Sequence, residues 1–268
     1  MKMKLASKRF YVGSFRVFVA VVLASFAFAT TPVNAVTYSA SGPGNDTGET
    51  NSATAVFNLS VSGTTTNLVI TLTNTAQYKP DDSPDMLTGV FFTLAGDPAL
   101  IATSAVLNAG STVIGLGTNS QPAGGVVGGE WAYKVNLSGA PNGANQGISS
   151  SGYGATFGPG NLFPGSPLPN DGGTPPDGVA YGLTTAKDDG SQYNGNLSSR
   201  AFIQDSVVFT LAKVPASVQL ANISNVSFQY GTTFTEPNLV ATVVPEPSSA
   251  ALALAGIALL GLLGRKRR

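Results

Sequence analysis

The chain contains no cysteine and no histidine. Without thiols there is no disulfide framework, no iron–sulfur cluster, no thiolate metal site and no cysteine nucleophile. Without imidazole there is no Ser-His-Asp triad and no histidine metal ligand. Charge is scarce too, at 10% of residues against about 25% in an ordinary soluble chain. Sustained 3.6-residue periodicity is missing from the whole central part, where Gly or Pro breaks nearly every long window. The 268 residues hold 32 Gly and 17 Pro, with Ser, Thr and Asn abundant. That is a vocabulary of short strands and turns.

The formal net charge of zero is a sum of unlike regions. Lys2, Lys4, Lys8, Arg9 and Arg16 give the first 35 residues +5, residues 36–244 carry −8, and the last 24 carry +3. The acidic middle offers no basic face, which excludes nucleic acid as a partner. Both positive regions flank apolar runs instead. At the N-terminal side, Val17–Ala29 holds no charge over 13 residues and is followed by Thr30-Thr-Pro-Val-Asn-Ala35. A basic region, an apolar region and small residues before a cleavage point form a secretory signal peptide. The apolar run is shorter than the roughly 20 residues a spanning helix needs. Cleavage is therefore expected after Ala35, which makes signal peptidase and the export translocon partners of the chain.

At the other end, Val244-Pro-Glu-Pro-Ser-Ser249 leads into the uncharged apolar run Ala250–Leu263 and then Gly264-Arg-Lys-Arg-Arg268. As a helix, Ser248–Gly264 would extend about 26 Å, near the lower limit for crossing a hydrocarbon core of about 30 Å. Arg265, Lys266, Arg267 and Arg268 supply the positive-inside stop, which holds the tail in the cytoplasm and the body outside. Pro245 and Pro247 break the backbone between body and span. A buried core helix would not end in four consecutive basic residues. Motif, span and basic terminus together resemble the PEP-CTERM protein-sorting domain of Gram-negative surface proteins, over Val244–Arg268. The resemblance implies recognition of Pro245-Glu246-Pro247 by an exosortase, a membrane-embedded cysteine peptidase or transpeptidase that removes the tail near the motif. Its catalytic residues belong to that partner. A sortase-type Leu-Pro-x-Thr-Gly signal is matched only poorly by Leu168-Pro-Asn-Asp-Gly172, which has no hydrophobic tail beside it.

The central 209 residues can bury a sizeable core. Alternation by two puts Ala55, Phe57, Leu59 and Val61 on one face, and Leu68, Ile70 and Leu72 on one face after a Ser-Gly-Thr-Thr turn, which predicts a hairpin. Further strands are expected at Gly89–Leu94, Thr112–Leu116, Glu130–Leu137, Val179–Leu183, Ile203–Ala212 and Val226–Tyr230, rich in β-branched and aromatic residues. Many short strands with turn signals between them predict an all-β antiparallel sandwich, a jelly roll being one arrangement. Residues 139–182, with 12 Gly and 7 Pro, are expected as long surface loops. Three phrases, Asp85–Phe92, Gly147–Gly154 and Phe228–Thr232, look like those of some exosortase-dependent surface proteins with an extracellular β domain, which favours one domain over two. The chain divides into a signal peptide (1–35), a β domain (36–244) and a sorting signal (245–268).

Candidate sites within the body are sparse. Asp81, Asp82 and Asp85 cluster in one loop, and Asp188 with Asp189 forms a second acidic turn. Oxygen-rich loops suit Ca²⁺, yet neither follows the EF-hand spacing, and Asp also simply caps turns. Glu130-Trp131-Ala132-Tyr133 sets an acid beside aromatics, which suits a sugar ring or, equally, a core strand. Tyr153, Phe157, Phe163, Tyr181 and Tyr193 fall in or beside the loops, where exposed rings would stack on carbohydrate. Asn-x-Ser/Thr occurs at Asn45, Asn58, Asn136, Asn196, Asn222 and Asn225, a glycosylation pattern. No catalytic motif is present, and no cofactor is expected beyond a conditional Ca²⁺. These features predict an exported, non-enzymatic surface or matrix protein that passes through an inner-membrane intermediate. The alternative is a carbohydrate- or calcium-binding adhesion module in contact with extracellular polysaccharide.

Overall fold

The computed structural model describes residues 35–46, 48–115, 121–169, 173–191, 193 and 195–245. Fourteen strands run through them in chain order: β1 Ala35–Pro43, β2 Thr50–Ser62, β3 Thr65–Asn74, β4 Leu87–Thr93, β5 Ile101–Leu107, β6 Thr112–Gly115, β7 Ala132–Lys134, β8 Gln146–Ser149, β9 Leu183–Thr184, β10 Ala201–Gln204, β11 Ser206–Ala212, β12 Ser224–Tyr230, β13 Asn238–Val240 and β14 Thr242–Val243. One sheet has the order β14-β1-β2-β3-β11-β5. The other runs β13-β12-β4-β9-β10-β6, with β8 attached to β4 and β7 to β8. The described residues are thus all-β. None of their helices is long and apolar enough to cross a membrane, and the span expected at 248–264 lies outside them.

The expected hairpin is present as β2 and β3. Ala53, Ala55 and Phe57 on β2, and Leu68, Ile70 and Leu72 on β3, are all buried, whereas Leu59 is half-buried and Val61, expected on the same face, is exposed near the turn. Ser62 pairs with Thr65, so the turn is the two residues Gly63-Thr64, and Gly63 takes φ 61°. A tight hairpin turn needs this left-handed backbone, and glycine adopts it without steric cost. The buried faces of both sheets share one core. Phe57 meets Phe92 of β4 edge to face at 5.3 Å, and Trp131 meets Phe209 of β11 at 5.0 Å. Such ring pairs add about 0.5–1.5 kcal/mol beyond the area they bury.

Four expectations need correction. The run Ile203–Ala212 is two strands in different sheets. Asp205 between them has φ 79°, turning the chain from β10, paired with β6, to β11, paired with β3 and β5. The expected strand Glu130–Leu137 contracts to β7, because Asn136 adopts φ 53° and ends the extended run. Of Val179–Leu183 only Leu183 is in a strand, since Tyr181 has φ 54°. The sheets are also not wholly antiparallel, because β9 and β10 pair in parallel through Ile203–Leu183 and Gln204–Thr184.

Two segments close the edges where the sheets meet. On one side β13 ends the second sheet, and the chain crosses at Ala241 to β14, which ends the first. On the other side, β5 ends the first sheet, and the chain crosses through residues 108–111 to β6 at the end of the second. An unpaired strand edge is a template for aggregation, and at each side the chain runs from the last strand of one sheet into the last strand of the other.

Candidate functional site

The two ends of the body meet in the first sheet. β1 begins at Ala35, the residue after which signal cleavage is expected, and Ala35 pairs with Asn58 of β2. On its outer side β1 holds β14, with Tyr38 opposite Val243 and Ser39 opposite Thr242. The Val244 N–H donates to the Thr37 carbonyl at 2.8 Å. Pro245, the first residue of the proposed motif, therefore follows directly on the last backbone bond of the fold. Tyr38 anchors this corner by donating from its hydroxyl to the Ile223 carbonyl at 2.5 Å, and burial raises its pKa. Residues 1–34, Glu246, Pro247, the span and Arg265, Lys266, Arg267 and Arg268 lie outside the described residues.

The first acidic loop, Asp81–Asp85, folds against the loop around Asn45 and Glu49. Asp85 is buried, and its Oδ1 accepts from the Asn45 N–H at 3.0 Å. Asp82 Oδ2 accepts from Asn45 Nδ2 at 3.3 Å. The Tyr78 hydroxyl, close by, donates to Asn51 Oδ1 at 2.6 Å. Asp85 Oδ2 and the Tyr230 hydroxyl are buried without a hydrogen-bond partner. Burial raises the Asp85 pKa, and the charges of Asp81 and Asp82 push the same way. Glu49 is raised as well, by burial first and then by the charge on Asp85.

The second acidic turn is built differently. Asp188 is buried, yet both of its oxygens are engaged. Oδ2 accepts from the hydroxyls of Thr184 and of Tyr193, the latter at 2.8 Å, and Oδ1 accepts from the Gly190 N–H at 2.8 Å. Asp189 is exposed, pairs with Lys79 at 2.7 Å and accepts from Ser191. The Lys79 hydrogen bond, with Ser191 assisting, lowers its pKa to about 2. Among the described residues, no three acidic side chains are arranged to hold a metal ion.

The aromatic residues singled out as carbohydrate-stacking candidates are placed elsewhere than expected. Tyr153, Phe157, Phe163 and Tyr181 are buried, because the loops that carry them fold back onto the core. Tyr153, Phe157 and Phe234 pack around Phe91, and Phe163 packs on Phe209. Tyr193 is half-buried against Phe202. Glu130, Trp131 and Tyr133 are likewise buried. The Glu130 carboxylate accepts from the Leu168 N–H at 2.6 Å, and the Trp131 indole donates to the Tyr181 carbonyl at 3.1 Å. The acid–aromatic sequence is a buried lead-in to β7, and its acid pins the long loop above it. Of the Asn-x-Ser/Thr positions, Asn45, Asn136, Asn222 and Asn225 are exposed, while Asn58 is half-buried in β2.

No curated protein and no solved structure matches the chain. Residues 243–268 match the family model of the PEP-CTERM protein-sorting motif, starting within β14. The chain thus carries a PEP-CTERM sorting motif that runs on from its last strand, a signal that implies exosortase-dependent sorting of a surface protein.

Proposed function

We propose that this is an exported, non-enzymatic protein of the bacterial surface or extracellular matrix, with a β-sandwich body framed by two removable addresses. Signal peptidase cuts after Ala35 once the translocon has engaged the N-terminal segment. The apolar stretch 248–264 then holds the chain in the inner membrane, with Arg265–Arg268 in the cytoplasm. An exosortase cuts near Pro245-Glu246-Pro247 and releases the body to the surface.

The sorting match at 243–268 carries this reading. The geometry of the body is compatible with both cuts. Among the described residues the last buried hydrophobic side chain is Tyr230, so a break after Val244 leaves the core whole. A break after Ala35 removes one residue from a nine-residue strand. The test is the intact mass of the protein recovered from cells that carry the exosortase. The expected species begins at Val36 and ends at or next to the Pro-Glu-Pro motif. Replacing Pro245, Glu246 and Pro247 by Ala should leave a chain that is still cut after Ala35 but keeps its C-terminal span. Recovery of wild-type protein with residues 248–268 intact at the surface would overturn the proposal.

A further inference from the structure

Five loops scattered along the chain converge on one cavity of about 570 Å³, within the usual size of a small-molecule site. Its polar wall consists of Ser83, Ser151, Asp177, Arg200, Thr232 and Glu236. None of these was singled out as a site by motif or spacing. We propose that this cavity binds a neutral, hydroxyl-rich saccharide.

The wall is set before any ligand arrives. Glu236 Oε2 accepts from the N–H groups of Thr232 at 2.5 Å and Thr233 at 2.6 Å. Gly231 makes that approach feasible: it takes φ 74°, and a Cβ there would stand 2.4 Å from the Glu236 carboxyl carbon. Beneath the loop, the Tyr153 ring stacks near Phe234 with centroids 4.7 Å apart, and its hydroxyl hydrogen-bonds with that of Thr88 at 2.7 Å. Asp177 and Arg200 face each other at 3.9 Å, with their side chains largely shielded from solvent. A site held in place by its own packing loses little entropy when it binds.

The chemistry of the wall selects the ligand class. With Oε2 held by the backbone, Glu236 accepts a hydroxyl hydrogen at Oε1, a guanidinium donates to ring or glycosidic oxygens, and Ser and Thr hydroxyls do either. An apolar ligand would strand these groups. A metal ion is disfavoured, because no group of three acids is arranged to hold one among the described residues. Two carboxylates against one guanidinium leave the wall at a formal charge of −1, and Asp177 already faces Arg200. Uronates and other anionic sugars are therefore repelled, and neutral sugars are left.

Saturation-transfer NMR and calorimetry on the full chain, in a sugar-free zwitterionic detergent, test the proposal with cellotriose, N-acetylchitotriose and trigalacturonate at millimolar concentration. At least one neutral trisaccharide should bind, about tenfold more tightly than trigalacturonate. Glu236→Gln keeps an acceptor for the two backbone N–H groups and removes the charge. It should weaken the neutral sugar about tenfold, as loss of a charged hydrogen bond does, and relieve the rejection of trigalacturonate. Ser83→Trp leaves the Glu236 loop untouched and should abolish binding by filling the cavity. The proposal is overturned if no neutral trisaccharide binds, if trigalacturonate binds best, or if folded Ser83→Trp protein binds as the wild type does.

Discussion

The two acidic turns have nearly the same composition and opposite electrostatics. In the loop Asp81–Asp85 the buried carboxylate of Asp85 keeps an oxygen without a hydrogen-bond partner. Its charged form is disfavoured by burial, and the neighbouring acids add to the effect. In the turn Asp188–Ser191 the buried carboxylate of Asp188 accepts from two hydroxyls and a backbone N–H. Its exposed neighbour Asp189 has Lys79. Burial alone therefore does not decide whether an aspartate supports the fold; the donors brought to it do.

The sharpest way to break this contrast is Asp188→Ala. It removes the acceptor for Thr184, Tyr193 and Gly190 at once and leaves one buried and two partly buried donors without partners. A loss of about 2–4 kcal/mol is expected, since each stranded donor costs about 1–3 kcal/mol and the three are not additive. Denaturant unfolding would read it, and a loss below 1 kcal/mol would show that water replaces the carboxylate.

Asp85→Asn should act in the opposite direction. The Asp85 pKa is raised from its ordinary 3.8. The carboxyl thus contributes stability while protonated, below its unfolded value, and loses that contribution as pH rises through the raised folded value. Asparagine keeps the acceptor for the Asn45 N–H and never acquires the charge. The variant should be more stable than the wild type at pH 7, and the gain should vanish below the ordinary carboxylate range. Thermal unfolding at both pH values checks it. A destabilised variant at pH 7 would mean that the ionised carboxylate has a partner the protein uses.

The hairpin of β2 and β3 was legible because each strand buries one face and glycine sits where the turn needs it. β4 and β12 were legible for a related reason, β-branched and aromatic residues: Val90, Phe91 and Phe92 in the first, and Val226, Phe228 and Tyr230 alternating with polar residues in the second. β1 and β5 were not expected, because Ala35–Pro43 and Ile101–Leu107 are mostly small or hydroxylated residues, and pairing with a neighbour rather than propensity makes them strands. The corner at Asp205 lies in the polar stretch Gln204-Asp205-Ser206 between two apolar runs, and aspartate tolerates the left-handed backbone the corner needs, a signal that reading the run as one strand concealed. The acidic turns were visible as turns. Which of their carboxylates is buried was not, since Asp85 is held by a backbone N–H 40 positions away. The polar cavity has no local signature at all. Its wall joins residues from Ser83 to Glu236 that lie far apart in the chain and meet only in the fold.

The smallest expected effect sharpens the comparison from the exposed side. Lys79→Met removes the first cause of the lowered Asp189 pKa while leaving Ser191 in place. The Asp189 carboxyl should then titrate well above about 2, part of the way back to its ordinary 3.8. Because a lowered folded value contributes stability above the unfolded pKa and loses it as pH falls toward about 2, any stability change should be confined to neutral and mildly acidic solution. The pair is exposed, and exposed pairs contribute little once water and salt screen them. The NMR titration of Asp189 should therefore move while the melting temperature at pH 7 stays within error. A clear drop in melting temperature would instead make the Lys79 contact part of what positions the buried Asp188 next to it.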